Sequence, residues 1–171
     1  MATSTPKSQR DSSKRTRWVT RERPKIDRIA CPWLVLRFID PQAEFLYVPA
    51  DKVIETARST GAIPYDVPGV ELTHVEGGCT FDTVMTKYAV KAEGLDKLAT
   101  IVRGADTSRL DLAPQCAGLY AISLGLSDLY RDDHEMLRHG LVMYDALYAW
   151  CTRLGSETHN WPPAGFGGKP S

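Results

Sequence analysis

Between Asp132 and Trp150 the apolar residues Met136, Leu137, Leu141, Tyr144, Leu147 and Tyr148 recur at three- and four-residue steps. That is the period of one helix face. Val142, Met143, Ala146 and Trp150 fill much of the other side, so the stretch predicts a long helix buried nearly all round. The same period predicts helices over 26–39, 80–88 and 95–102, the last closed by Gly104. Pro32 fits the first of these if it sits in the opening turn, and Asp40-Pro41 ends it. A further helix is predicted from Pro49-Ala-Asp to about Ser59, stopped by Gly61, and another from about Ala113 to Leu126. Asp111 is placed to cap that last one, with Pro114 in its first turn. It carries Cys116, Ala117, Gly118, Ala121 and Gly125, and each helical glycine costs about 1 kcal/mol against alanine. Close helix packing is the expected compensation.

Two short strands interrupt the helices. Glu44 to Val48 is short, apolar and aromatic, and Val70 to Val75 alternates with period two. The stretch from Ile63 to Gly69 holds Pro64, Pro68 and Gly69 and reads as loop. The expected fold class is therefore mainly α with a small two-stranded β element (α+β), a compact helical domain around a long buried C-terminal helix. A helix between the strands suits a parallel β-α-β pair.

Composition adds boundaries. At 171 residues the chain fits one domain. Its net charge of zero hides an asymmetry: residues 1–23 carry seven Lys or Arg against Asp11 and Glu22. That stretch reads as a largely disordered basic leader, with order beginning near Trp18 or Lys25, 24–155 as the single domain, and the Gly/Pro-rich 156–171 as a loose tail. A basic leader also suits DNA or an anionic surface. No apolar run reaches the ~18 residues of a membrane span. Cys31, Cys79, Cys116 and Cys151 are far apart without a C-x-x-C pair. Reduced, buried thiols in a cytoplasmic protein are expected.

Three groups of residues carry candidate chemistry. Glu135 and His139 lie one helical turn apart, near Asp132, Asp133 and His134, a mixture of carboxylate and imidazole that suits Zn, Fe, Mn or Ni. Acids at a helix start also cap it, which is the simpler reading for Asp132 and Asp133. His74 and Glu76 lie two apart before a Gly-Gly turn, with Cys79 three residues on as a candidate thiolate. The metal set read from the sequence is thus His74, Glu76, His139 and Glu135. Asp27 and Arg28, with Arg37 and Arg103, form a candidate anion-binding group, since guanidinium forks match oxyanions. A structural Asp–Arg pair would explain the same residues. There is no phosphate loop, G-x-S-x-G elbow or H-E-x-x-H pair.

Four blocks in order, WVTRERPKIDRIACPWLVLRFIDPQAEFLYVP, YDVPGVELTHVEGGCTFDTVMTKY, IVRGADTSRLDLAPQCAGLYAISLGL and DDHEMLRHGLVMYDALYAWC, resemble the chromate-resistance family. The match is to the C-terminal domain of ChrB-type proteins and covers roughly Trp18 to Cys151. The resemblance implies a role beside chromate efflux, with chromate or a metal ion as the partner, in sensing or detoxification. Two alternatives stay open. One is a metal- or thiol-dependent redox enzyme using the same site. The other is a DNA-binding regulator acting through the basic leader.

Overall fold

The computed structural model describes residues 15–162. The core is a three-stranded parallel sheet of β1 (Arg17–Arg21), β2 (Glu44–Val48) and β3 (Ile63–Pro64), in the order β2-β1-β3. Six α-helices accompany it: α1 (Asp27–Phe38), α2 (Val53–Thr60), α3 (Thr80–Lys87), α4 (Leu95–Asp106), α5 (Cys116–Leu129) and α6 (Asp133–Ala149). The chain is mainly helical with a small sheet, as its periodicity predicts.

The central strand comes from the stretch read as leader. Trp18, Val19 and Thr20 are fully buried, and β1 pairs with β2 from Arg17↔Glu44 to Arg21↔Val48. Three buried residues flanked by arginines give a basic composition but a strand's side-chain pattern, and burial decides. The domain therefore starts by Arg17, and residues 1–14 and 163–171 of the leader and tail readings lie outside the described residues.

Alternation across β1 builds two cores. Trp18 points to the face covered by α1, α3, α4 and α6, and Val19 to the face covered by α2, with Val53 and Ala62. The connection from β1 to β2 thus runs over one face and that from β2 to β3 over the other.

Val70 to Val75 is not a strand. Only Leu72 makes an isolated bridge, to Tyr65, and the remainder is bend and irregular backbone. Its alternation is satisfied by burying Leu72 alone. The third strand is instead the two-residue β3, inside the stretch read as loop. Pro64 is tolerated there because β3 is an edge strand needing few ladder bonds.

Pro32 sits in the sixth position of α1, past the first turn. Lacking an N–H, it leaves the carbonyl of Arg28 without its helical partner. The Tyr47 and Tyr65 hydroxyls donate to that carbonyl at 3.1 and 3.3 Å. The proline thus creates the acceptor by which α1 is tied to both flanks of the sheet.

The long helix is buried along one stripe, not all round: Met136, Leu137, Gly140 and Tyr144 face the core, while Val142 is exposed. Asp132 caps it, accepting from the Glu135 N–H at 2.7 Å. Helix α5 begins at Cys116 with Gln115 at its cap, and Asp111 instead pairs with Arg109. Tight glycine packing occurs on its neighbours. A Cβ on Gly104 would collide with Cys116, and one on Gly140 with Ile29. Gly118 and Gly125 of α5 have nothing within 4 Å of theirs.

Candidate metal centre

The carboxyl ends of β1 and β3 lie side by side, and the connections leaving β1 and β2 part there to opposite faces. In parallel α/β sheets this crevice is where ligands bind. After β1 the chain reaches Asp27 at the start of α1, and two residues after β3 it reaches Asp66. Both carboxylates are buried. The backbone is strained at both: Ile26, just before Asp27, has φ 45°, and Asp66 has φ 53°. Such conformations cost on the order of 1–3 kcal/mol each and are held only where the surroundings impose them. Tyr144 of α6 helps hold the first, its hydroxyl donating to the Ile26 carbonyl at 3.3 Å.

His74 enters the crevice from the loop after β3. Its Nε2 lies 3.0 Å from Asp106 Oδ2, 3.2 Å from Asp66 Oδ1 and 3.5 Å from Asp27 Oδ2. Ligand atoms about 2.1 Å from one ion sit about 3.0 Å apart in an octahedron and 3.4 Å apart in a tetrahedron. The observed separations span that interval. Asp27, Asp66 and His74 offer atoms mutually within 4.8 Å, and Asp106, at the end of α4, adds a carboxylate oxygen 3.0 Å from the imidazole.

The surroundings fix each ligand. Asp27 accepts from the backbone N–H groups of Thr80 (2.6 Å) and Phe81 (3.3 Å), the first turn of α3. The Thr80 hydroxyl donates to Asp66 Oδ1 at 2.8 Å. Arg28 Nε and Arg21 Nη2 approach Asp66 Oδ2 at 3.4 and 3.3 Å. Outer partners of this kind orient metal ligands. His74 is the most exposed of the four, its side chain 42% exposed against 13% for Asp106.

Burial and the neighbouring Asp106 and Asp66 push Asp27 well above the ordinary carboxylate value. Burial and Asp66 likewise raise Asp106, against the opposing effect of His74. Without a cation the folded chain therefore holds protons here that the unfolded chain releases. Its stability falls as pH rises from the ordinary carboxylate value through the raised ones. In chelator, the chain should unfold at a lower temperature at pH 8 than at pH 5. Asp27→Asn should flatten that slope; an unchanged slope would place its origin elsewhere.

The residues read from the sequence divide cleanly. His74 and Asp27 are in the cluster, and Arg28 borders it as a partner of Asp66. Glu76 is exposed on the turn before Gly77. His139 stacks on Tyr130 at 4.1 Å between ring centroids, and Glu135 lies 3.7 Å from Arg138. Glu76, His139 and Glu135 thus lie outside the grouping around His74. Arg103 grips Asp82 with two bonds of 2.9 and 2.6 Å. Asp82 Oδ2 also accepts from the Cys79 N–H, so Arg103 braces the cap of α3. Asp66 and Asp106 were missed by the sequence reading. The signal for Asp66 was its place just after Ile63-Pro64, and for Asp106 the acid at a helix end.

Cys79 is fully buried and its thiol donates to Asp82 at 3.4 Å. Burial, with Asp27 and Asp82 close by, drives it far above the ordinary thiol range. It is held protonated and covered, a poor nucleophile. Under native conditions iodoacetamide should label Cys151, the only half-exposed thiol among the four, well before Cys79. Rapid labelling of Cys79 by peptide mapping would revive a thiol reaction.

Among the described residues no helix is long and apolar enough to cross a membrane. The profile of the family described as "ChrB, C-terminal domain" matches residues 18–151. Protein ChrB of Cupriavidus metallidurans (strain ATCC 43123 / DSM 2839 / NBRC 102507 / CH34) is 28% identical over 134 residues. That match takes in 77% of this chain and 39% of the relative's length. No solved structure matches.

Proposed function

The chain belongs to the family of ChrB C-terminal domains, a chromate-resistance family, and we propose that it binds one divalent transition-metal ion through Asp27, Asp66 and His74, with Asp106 as a further ligand. One observation carries this reading: three carboxylates converge on a single imidazole nitrogen at ligand-to-ligand spacing, in the crevice at the carboxyl ends of β1 and β3. Three hard oxygens and one nitrogen suit Mn, Fe or Zn, and fit Cu(I) poorly. A dication also offsets the repulsion among carboxylates that otherwise raises Asp27 and Asp106.

The ligands come from four segments: the start of α1, the turn after β3, the loop at residue 74 and the end of α4. Binding would cross-link them, and the loop from Asp66 to Cys79 carries two. This supports a sensing role in which occupancy orders that loop, over a thiol-based reaction, which the burial of Cys79 disfavours. The test is elemental analysis of untagged protein, followed by titration of the chelated chain with Mn, Fe(II) and Zn by calorimetry. One equivalent bound, with slowed hydrogen exchange between residues 66 and 79, is the expected result. No uptake of any of the three would leave His74 as a structural partner of its carboxylates and overturn the reading.

A further inference from the structure

Helix α5 presents its apolar side to solvent. Ile122 and Leu129 are 54% and 74% exposed, and Tyr120 and Leu124 are exposed as well. The sequence from Leu112 to Ser127 contains no charged residue. Cys116, Leu119 and Ser123 are the residues α5 buries in its own domain. At 100° per residue, Ala117, Gly118, Ala121 and Gly125 fall on the opposite side. They form a shallow furrow between one ridge of Tyr120 and Leu124 and another of Ile122 and Leu129.

The glycines supply a second, independent observation. Gly104 and Gly140 have a reason within the domain, because a Cβ there would strike Cys116 or Ile29. Gly118 and Gly125 meet nothing, so the domain gains no packing in return for two poor helix formers in one helix. Small residues at four- and seven-residue spacing allow a backbone to approach, and the approach can come only from outside.

We infer that α5 is the contact face of a two-fold homodimer, each furrow receiving a ridge of the other copy. The occupant is a second copy because the surface is complementary to itself. Furrow and ridges lie on one helix, and a two-fold axis through Ala121 sets Leu124 or Ile122 of each copy against the other's small residues. With no charge over sixteen positions, the face carries nothing that would select or orient a charged partner. Two-fold pairing also closes on itself and buries both patches at once. A helix of about 21 Å still makes a small interface, so dissociation in the micromolar range is expected.

The experiment is sedimentation velocity of the full chain from one to several hundred micromolar, with wild type, Ile122→Asp and Gly118→Leu. Wild type should shift toward twice the 19.0 kDa chain mass as concentration rises. Ile122→Asp should weaken the dimer at least about tenfold, since a carboxylate would be buried without a partner. Gly118→Leu should do the same by filling the furrow. Both sites are exposed, so circular dichroism should match wild type. An Ala121→Cys variant should cross-link to itself under mild oxidation. A wild type that stays monomeric throughout would overturn the inference and leave α5 to a different partner. A dimer unchanged in both variants, or no cross-link through position 121, would place the contact on another surface and overturn it equally.

Discussion

Asp66→Ala and His74→Ala should each abolish stoichiometric metal uptake, while Glu76→Ala and His139→Ala leave it intact. The two pairs separate the convergent cluster from the residues that only spacing put forward. Loss of a single ligand from a set of three or four is expected to weaken binding by orders of magnitude, whereas Glu76 and His139 lie outside the grouping. The same contrast should appear in stability. At one hundred times the dissociation constant, metal stabilises the folded chain by about 2.7 kcal/mol. For a domain of this size that is a rise in Tm of roughly 5–10 °C. The rise should be present in wild type and in both outer variants and absent in Asp66→Ala and His74→Ala. Asp27 is less suited to this test, because it also caps α3 through Thr80 and Phe81, so its loss mixes folding with binding. A Tm rise that survives in Asp66→Ala would remove the carboxylate cluster from consideration.

Half of this cluster was legible in the sequence, and the missing half shows what local spacing omits. His74 announced itself as an imidazole before a Gly-Gly turn, whereas Asp27 was legible only as half of an Asp27–Arg28 anion-binding pair. Neither suggested the other, because they are brought together only by the pairing of β1 with β3. Glu135 and His139 satisfied the one-turn rule for shared ligands, yet their helix turns that face away from the crevice. His139 is used instead to stack on Tyr130. Spacing along a helix states which residues share a face; it does not state what the face meets.

Elements with an undivided pattern were read correctly, and elements whose pattern was mixed were not. Helices α1, α3 and α6 follow from period 3.6, and β2 from its run of apolar and aromatic residues. Val70 to Val75 alternates, but its segment has no neighbouring strand to pair with and only Leu72 needs burial. Gly118 and Gly125 were expected to serve packing inside the domain and do not. The β1 segment was masked by charge: Arg15, Arg17, Arg21 and Arg23 surround it. In the fold those arginines serve as its edges. Arg15 and Arg17 bond Glu44 at the start of β2, and Arg21 bonds Asp66 beyond β3. The positive charge that suggested a nucleic-acid contact is, for these residues, spent on ion pairs within the domain.

Trp18→Ala should therefore be the most destabilising single substitution in the stretch first read as leader, costing about 3–5 kcal/mol. Trp18 is fully buried at the centre of the sheet. Its ring meets Tyr65 edge-on at 6.1 Å and Tyr88 at 5.7 Å, and its Nε1 donates to the Thr16 hydroxyl at 3.0 Å. Thr16 in turn donates to Asp40, two residues past the end of α1. Truncation would open a cavity between the sheet and α3 and release both ends of that chain of bonds. Against a total stability of roughly 5–15 kcal/mol for a domain, such a loss can leave much of the population unfolded. Trp18→Phe keeps ring contacts and forfeits the indole bond, so it should recover more than half of the loss. Urea unfolding followed by circular dichroism measures both, with Val142→Ala as an exposed reference expected to lie within about 0.5 kcal/mol of wild type. A loss below about 1 kcal/mol for Trp18→Ala would mean that β1 is dispensable. The crevice it shares with β3, and the metal centre built there, would then lose their foundation.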